Sequence, residues 1–336
     1  MRVIVLGGTW FVERAVCAVL REQGHEVTVV HRGLSEPEEL AEARSAGVGV
    51  GGITHLHAER TRWPEHRADF AAFEPDAAVD VSAMNGAGAR HALAALPAGL
   101  RLVALSSVDV YRAYESTRSG EQTDAVPLTE SSPLRTGRYL DGPDWENLEL
   151  EDVYRDAGAA LLRLGAVYGE HDYQRRLEFA LRRVRGGRRR MPIGSGAFLF
   201  SRVYVRDVGT AVLAALTTPG SAGETYNVVE SATPGFGLLA AQIVAAAEAE
   251  MELVRVPDDA LPPDLALTGG ARGSGSGTQH LLASAARARE QLGWSETDPD
   301  VALRRSVDWH LRHPPEDWNR DFAEDDAALT RALAQS

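Results

Sequence analysis

The sequence contains no lysine; its 35 permanently basic side chains are all arginine. A guanidinium stays protonated at any working pH, so Schiff-base chemistry and a titrating lysine base are excluded outright. A single cysteine, Cys17, excludes an internal disulfide, and its place in an apolar helical pattern marks a core residue rather than a reactive thiol. No apolar run approaches the roughly 20 residues of a membrane span. The N-terminal apolar run is too short for a signal peptide and lacks a small-residue cleavage site, so a cytoplasmic protein with no membrane partner is the expectation. A formal net charge of −13 argues against a surface made for nucleic acid. G-x-S-x-G, H-E-x-x-H and P-loop motifs are missing, which removes the common hydrolase and nucleotidase readings.

What is present is enough for a large core: 336 residues, 44% of them hydrophobic, forming one large or two interlocked domains. The chain opens on Val3-Ile4-Val5-Leu6, stops at Gly7-Gly8-Thr9, and continues in a helical pattern through Phe11, Val12, Ala15, Val16, Val19 and Leu20. A buried strand, a glycine turn and a helix make the first half of a mononucleotide-binding unit. Its helix N-terminal N–H groups face a pyrophosphate, with residues Gly7 to Val12 as the phosphate-side contacts. A second strand, Glu26 to His31, ends at Arg32-Gly33 where the dinucleotide fingerprint has an acidic residue for the ribose. Arginine suits a 2′-phosphate instead, which favours NADP over NAD; a solvated strand-end arginine is the plain alternative.

Further strands are expected within Gly51 to Glu59, near Ser82 after the helix end at Phe70, over Arg101 to Ser107, and over Ala159 to Gly165. Strands alternating with helices imply crossover connections and a doubly wound parallel sheet. His55 and His57 alternate on one strand face, but no ligand cluster of metal spacing accompanies them, so no metal is expected. Later come a helix over Leu177 to Val184, an extended segment from Phe198 leading into a helix over Gly209 to Leu216, a strand over Thr225 to Val229, and helices over Gly237 to Glu250, Ala283 to Leu292 and Val301 to Leu311. Pro37 to Arg44 reads as an acidic surface segment and Gly269 to Gly277 as a flexible loop. Domain bounds follow: a dinucleotide-binding half over 1–168, a substrate half over 169–313 with a segment near 198–230 returning to the first, and an acidic, loosely held tail over 314–336.

The blocks VIVLGGTWFVERAV, LVALSSVDVYRAY, LLRLGAVYGEHD, FSRVYVRDVGTAV, ETYNVVES and ARAREQLGWSETD occur in this order. Together they resemble the extended short-chain dehydrogenase/reductase (SDR) family, with the GGTxF opening closer to its atypical branch, which includes natural-product ketoreductases and chloroplast stem-loop RNA-binding proteins. The resemblance implies a Rossmann domain binding NAD(P), with Ser82 and Ser106 beside the cofactor, and a smaller C-terminal α/β substrate domain. The family's G-x-x-G-x-x-G maps onto Gly7, Trp10 and Glu13, so only the first glycine survives. Trp10 could cover the cofactor, whereas a carboxylate at Glu13 opposes an anionic ligand, so absence of a cofactor stays open. The family's catalytic serine maps onto Ser107. Its Tyr-x-x-x-Lys falls on Pro143 and Asn147 when the following glutamate is set at Glu151, or on Asp141 and Trp145 in the other register; neither restores the pair.

Candidates to replace the missing proton donor are Tyr139 and Tyr111 first, then Tyr114, Asp109, Asp141 and Asp144, or the substrate itself. Arg182, Arg183, Arg185, Arg188, Arg189 and Arg190 form a cluster that meets substrate phosphates in the family, with a solvated loop or an RNA grip as alternatives. Asp207, near Arg202, is read as half of an inter-domain ion pair. The leading expectation is an NADP(H)-dependent ketoreductase acting on a small molecule by an atypical mechanism, with a homodimer left open. Alternatives are a nucleotide-sugar epimerase or dehydratase, and a non-catalytic or cofactor-free protein binding a small molecule or RNA, or acting as a cyclase or isomerase.

Overall fold

A computed structural model describes residues 1–8, 10–33, 53–138, 145–268 and 279–333. The surface segment at 37–44, the loop at 269–277, Thr9, Tyr139, Asp141, Pro143 and Asp144 lie outside the described residues. Strand β1 (Arg2–Leu6) alternates between two cores. Val3 and Val5 pack into one with Val16, Cys17 and Leu20, whereas Ile4 and Leu6 pack into another with Trp63, Phe70 and Ala92. Both faces are covered, which is why the strand reads as an unbroken apolar run.

The other strands are β2 (Glu26–His31), β3 (Ile53–His57), β4 (Ala77–Asp80), β5 (Arg101–Ser107), β6 (Ala160–Leu164), β7 (Ala166–Tyr168), β8 (Arg190–Ile193), β9 (Arg202–Tyr204), β10 (Thr225–Val228) and β11 (Glu252–Arg255). Seven of them form one sheet in the order β10-β6-β5-β4-β1-β2-β3, and every pair is parallel. The order reverses at β1, so the carboxyl ends of β1 and β4 flank the crevice in which such sheets bind ligands. The doubly wound sheet expected from the sequence is thus present. The chain leaves it after β6 and re-enters at β10.

Helix α1 (Val12–Glu22) packs on the helix Val205–Thr217. A side chain at Gly209 would meet Ala15 O at 2.9 Å and Val19 Cγ2 at 2.8 Å, so this glycine sets how closely the two helices approach. Cys17 is buried in that interface, and burial pushes its thiol up to about 12, so it stays protonated. A further core joins Tyr168, Leu181, Met191, Tyr204, Ile243, Leu303 and Val307, around the small parallel pair β8 and β11. Phe11 belongs to this third core, which ties the glycine turn to the C-terminal half. The helix Pro299–Arg312 begins where Asp298 accepts from the N–H groups of Asp300 and Val301, with proline at its first position.

The tail departs from expectation. It forms a helix, Ala323–Leu333, that docks on the arginine cluster. Arg183 is wholly buried and bonds to Asp325 (Nε–Oδ2 2.7 Å) and Asp264 (Nη1–Oδ2 2.8 Å). Arg182 shares both carboxylates, Arg185 bonds Glu178, Arg188 bonds Asp326, Arg189 bonds Glu250 and Arg190 bonds Glu252. Every member of the cluster has a carboxylate partner; Arg182 and Arg183 are buried, whereas Arg189 is exposed with its partner, as a solvated residue. Removing one partner of a buried pair leaves an uncompensated charge, which costs about 3–5 kcal/mol. Asp325→Ala is therefore expected to lower stability by roughly that amount in urea unfolding, whereas Asp326→Ala, at an exposed pair, should cost under about 1 kcal/mol.

Candidate active site

The crevice is built from the turns that follow β1, β4 and β5. Gly7 sits at φ +149°, and an added side chain would meet Val81 Cγ2 at 2.5 Å and Ser82 Oγ at 3.0 Å, so only glycine fits. The turn is braced from β4. Asp80 receives Arg60 through two bonds (2.7 and 2.8 Å) and the Tyr154 hydroxyl, and its Oδ1 accepts from the backbone of Ser82 and Ala83. The Ser82 hydroxyl accepts from Arg60 (2.7 Å) and donates to Leu6 O (3.3 Å). Ser82 thus holds the turn that lines the crevice.

Gly8 is part-buried beside it, Val12 is part-buried against both cores, and Arg32 is exposed just past the end of β2. Trp10 points outward, 57% exposed, and stacks on Tyr173 at 5.0 Å; Phe11 meets the same tyrosine edge-on. Two aromatic rings from different loops therefore stand above the glycine turn. The residues fit a dinucleotide here: a glycine cradle, a helix N-terminus without a side-chain cap from Phe11, and a strand-end arginine.

Glu13 is the dissenting residue. Its part-buried carboxyl accepts from the Phe11 N–H at 3.4 Å, at the helix start where a phosphate oxygen would bind. Burial raises this carboxyl above its ordinary 4.5, against the pull of the backbone N–H groups of Glu13 and Phe11. The neutral form presents a hydroxyl rather than a repelling charge.

At the end of β5 stands a second group of polar side chains. Ser107 is part-exposed and its Oγ accepts from the Asp109 N–H at 3.2 Å. Asp109 is 7% exposed, and Asn147 Nδ2 reaches both of its carboxylate oxygens at 2.9 Å. Asn147 opens the helix Asn147–Asp156, capped by Glu146, which also grips Arg135 through two bonds (2.5 and 2.9 Å). Arg135 Nε donates to Asp109 O (2.9 Å). Burial raises the Asp109 carboxyl above its ordinary value. Hydrogen bonds from Asn147 and the Ser107 hydroxyl, and the Arg135 charge, pull the other way. Glu151 lies one turn further along the same helix, wholly buried, and takes Arg163 through two bonds (2.9 and 2.7 Å). The register that places Asn147 at the lysine position puts these residues together.

Several expected site residues lie elsewhere. Tyr111 is fully buried. Its hydroxyl donates to Asn227 (2.7 Å) and accepts from Arg163 (3.1 Å), so it is a core group with no proton to exchange with a ligand. Tyr114 is buried against Phe200. The Ser106 hydroxyl donates to Glu151 at 2.6 Å and serves the core rather than a cofactor. Asp207 bonds Thr297 (N–H 2.9 Å, Oγ1 2.6 Å) instead of forming an ion pair; Arg202 pairs with Glu230 at 2.7 Å. Sequence reading missed the Arg60–Asp80–Tyr154 brace, in which Tyr154 lies 74 residues from Asp80, and the Arg135–Glu146 pair, which no local pattern marks. It also missed that His31 joins His55 and His57, which follows only from the pairing of β2 with β3.

A doubly wound parallel sheet with a glycine turn at its switch point and a serine at the end of β5 defines a protein of Rossmann-like fold. Residues 3–228 match the model of the NAD dependent epimerase/dehydratase family, and the chain belongs to that family. Among curated proteins it is 24% identical to the chloroplast stem-loop binding protein of 41 kDa b of Arabidopsis thaliana, over 99% of this chain and 85% of that protein. It is 32% identical to the 2'-dehydrokanamycin reductase of Streptomyces kanamyceticus, over 50% of this chain and 43% of that one. Among solved structures, a dTDP-glucose 4,6-dehydratase of Bacillus anthracis in complex with NAD aligns at TM-score 0.70 with 14% identity, covering 94% of this chain and 98% of that one. A putative epimerase of Burkholderia cenocepacia aligns at 0.69 with 22% identity, covering 91% and 97%. At such identities the structural likeness speaks for the fold. Among the described residues no helix is long and apolar enough to cross a membrane.

Glu13 gives a pH dependence of known sign. The folded chain holds its proton more tightly than the unfolded chain, so that contribution to stability is full below about pH 4.5 and is lost as pH climbs through the raised value. Glu13→Gln removes the loss. The difference in urea midpoint between variant and native chain is expected to be constant below that pH and to grow in the variant's favour above it.

Proposed function

We propose that the protein is a nicotinamide-dependent oxidoreductase that reduces a carbonyl on a small polar molecule, with Ser107 and Asp109 replacing the Ser-Tyr-Lys relay. The observation that carries this reading is the contact of Asn147 with Asp109. The residue at the lysine position has lost its charge and instead holds a buried carboxyl beside the catalytic serine. The 32% identity to a reductase supports the reaction class. A bound nicotinamide would supply the hydride.

The chain's own residues supply the proton and the alignment. Ser107, part-exposed at the strand end, orients the carbonyl oxygen. Asp109, raised by burial, holds a proton closer to neutral pH than an ordinary aspartic acid and passes it through the Ser107 hydroxyl to the forming alkoxide. Asn147 and Arg135 fix the orientation of Asp109. Residues Gly7, Gly8 and the first turn of α1 would hold the pyrophosphate, Trp10 with Tyr173 would cover it, and Arg32 favours NADP through a 2′-phosphate. Glu13 supports a second reading, a cofactor-free protein that uses the same crevice.

One titration separates the two. NADPH is expected to bind, with enhanced fluorescence, more tightly than NADH, and Arg32→Ala should remove the preference. Among keto sugars and related ketones, a turned-over substrate should lose about 10²-fold or more in kcat with Asp109→Asn while NADPH affinity is kept. The native kcat should fall as pH rises through the Asp109 value. Failure of both dinucleotides to bind between about pH 5.5 and 8, or full activity of Asp109→Asn, overturns the reading.

A further inference from the structure

Parallel pairing of β2 with β3 sets His31 directly beside His57, and Val29 beside His55. Residues 55 and 57 lie two apart on one strand, so all three imidazoles share one sheet face. His31 Nε2 and His55 Nδ1 are 2.9 Å apart, and the His31 and His57 rings meet at 4.7 Å between centroids. One ligand nitrogen from each of the three lies within 4.8 Å of the others. His31 is buried, His55 half-buried and His57 exposed, so the cluster opens to solvent on one side.

We propose that His31, His55 and His57 form a binding site for a borderline divalent cation of the zinc class. Three neutral imidazoles suit zinc, cobalt, nickel or copper and not calcium or magnesium, which take oxygen ligands. Zinc–nitrogen bonds of about 2.0–2.1 Å put tetrahedral ligand nitrogens about 3.3 Å apart. The His31 and His55 nitrogens need only part by a few tenths of an ångström, and His57 needs to close inward from an exposed position. The cation takes the place of the proton that the two facing nitrogens otherwise share.

Coordination through His31 Nε2 leaves the proton on Nδ1, which now accepts from the Gly33 N–H at 3.1 Å. That N–H must turn away. Gly33, at φ +79° and with no side chain, is a residue at which such a turn is weakly opposed. Among the described residues three protein ligands are in place, and a fourth position would take water, an anionic ligand group or a further protein ligand. The site, on β2 and β3, stands apart from the Ser107–Asp109 pair at the end of β5, with β4 and β1 between them, and does not depend on the proposed reduction.

The test uses the full chain, stripped with a chelator and titrated with Co²⁺ and then Zn²⁺. One equivalent of Co²⁺ is expected to bind with the visible absorption of a low-coordinate nitrogen site, and Zn²⁺ should displace it. His57→Gln and His55→Gln, made separately, should each weaken binding by at least the roughly 10–100-fold that loss of an outer-shell partner costs. His66→Gln, on a different surface, should leave it unchanged. Equal unfolding midpoints of the stripped native and His57→Gln chains show that the exposed substitution acts on the ion alone. No Co²⁺ spectrum, binding undiminished in both variants, or binding of inorganic phosphate to the cluster in place of the cation overturns the proposal.

Discussion

Permanent positive charge inside a low-dielectric interior is the constraint on which this structure turns. Because every strong cation is a guanidinium, a buried one cannot shed its proton to escape desolvation, and it must carry a carboxylate with it. The interior answers with fork-to-carboxylate pairs at the places where elements meet. Arg163 with Glu151 ties the strand end of β6 to the helix beside it. Arg60 with Asp80 braces the turn after β4, and Arg135 with Glu146 fixes the start of the helix bearing Asn147. Arg183 with Asp325 clamps the C-terminal helix, and Arg202 with Glu230 joins β9 to the end of β10. Such pairs contribute little net stability compared with apolar replacements, yet each strongly penalises loss of one partner, so they fix geometry more than they add free energy.

The same constraint explains the site. A lysine in the helix beside β5 would present a mobile, titratable ammonium to a ribose and a tyrosine. Its place is taken by neutral Asn147, and the nearest cation, Arg135, is already committed to Glu146. With no ammonium to lower it, a tyrosine there would stay near its ordinary value of about 10. Burial moves a carboxyl upward, towards working pH, whereas a tyrosine needs to be moved down. Asp109 is the residue so placed, and its bonds to Asn147 make that helix start its holder.

The sheet was legible in the sequence because its signals are local. Apolar runs covered on both faces gave β1, β2, β5 and β6 nearly to the residue, and their alternation with helices gave parallel crossovers. Ser107 was legible as the end of the apolar run that forms β5. What was not legible depends on partners distant in the chain. The six arginines between 182 and 190 look alike in sequence, and only the return of Asp264 and Asp325 from far downstream separates the two buried clamps, Arg182 and Arg183, from the surface pairs of Arg188, Arg189 and Arg190. Tyr111 and Tyr114 follow the serine closely and so read as pocket residues. The chain turns inward after Ser107, and Asn227 on β10, more than a hundred residues later, claims the Tyr111 hydroxyl. His31 was read with Arg32 and His55 with His57, because strand register is a tertiary fact.

Glu13 and Asn147 gain meaning when they are taken together. Relative to the family pattern, one position exchanges a glycine for a carboxyl and the other exchanges an ammonium for an amide. If Glu13 were ionised, the crevice would be two charges more negative than the pattern requires, and an anionic dinucleotide would meet repulsion at its phosphates. Burial at the start of α1 acts on this balance, because it shifts Glu13 towards its neutral form. The helix N-terminus keeps its dipole in either form. The neutral carboxyl keeps a hydroxyl that can donate where an ionised one could only accept. A phosphate oxygen arriving at that helix would therefore compete with the Glu13 carboxyl for the Phe11 N–H while accepting from its hydroxyl. The residue that departs furthest from the glycine motif is thus the one that already occupies a helix-start N–H, the group a phosphate oxygen would need there.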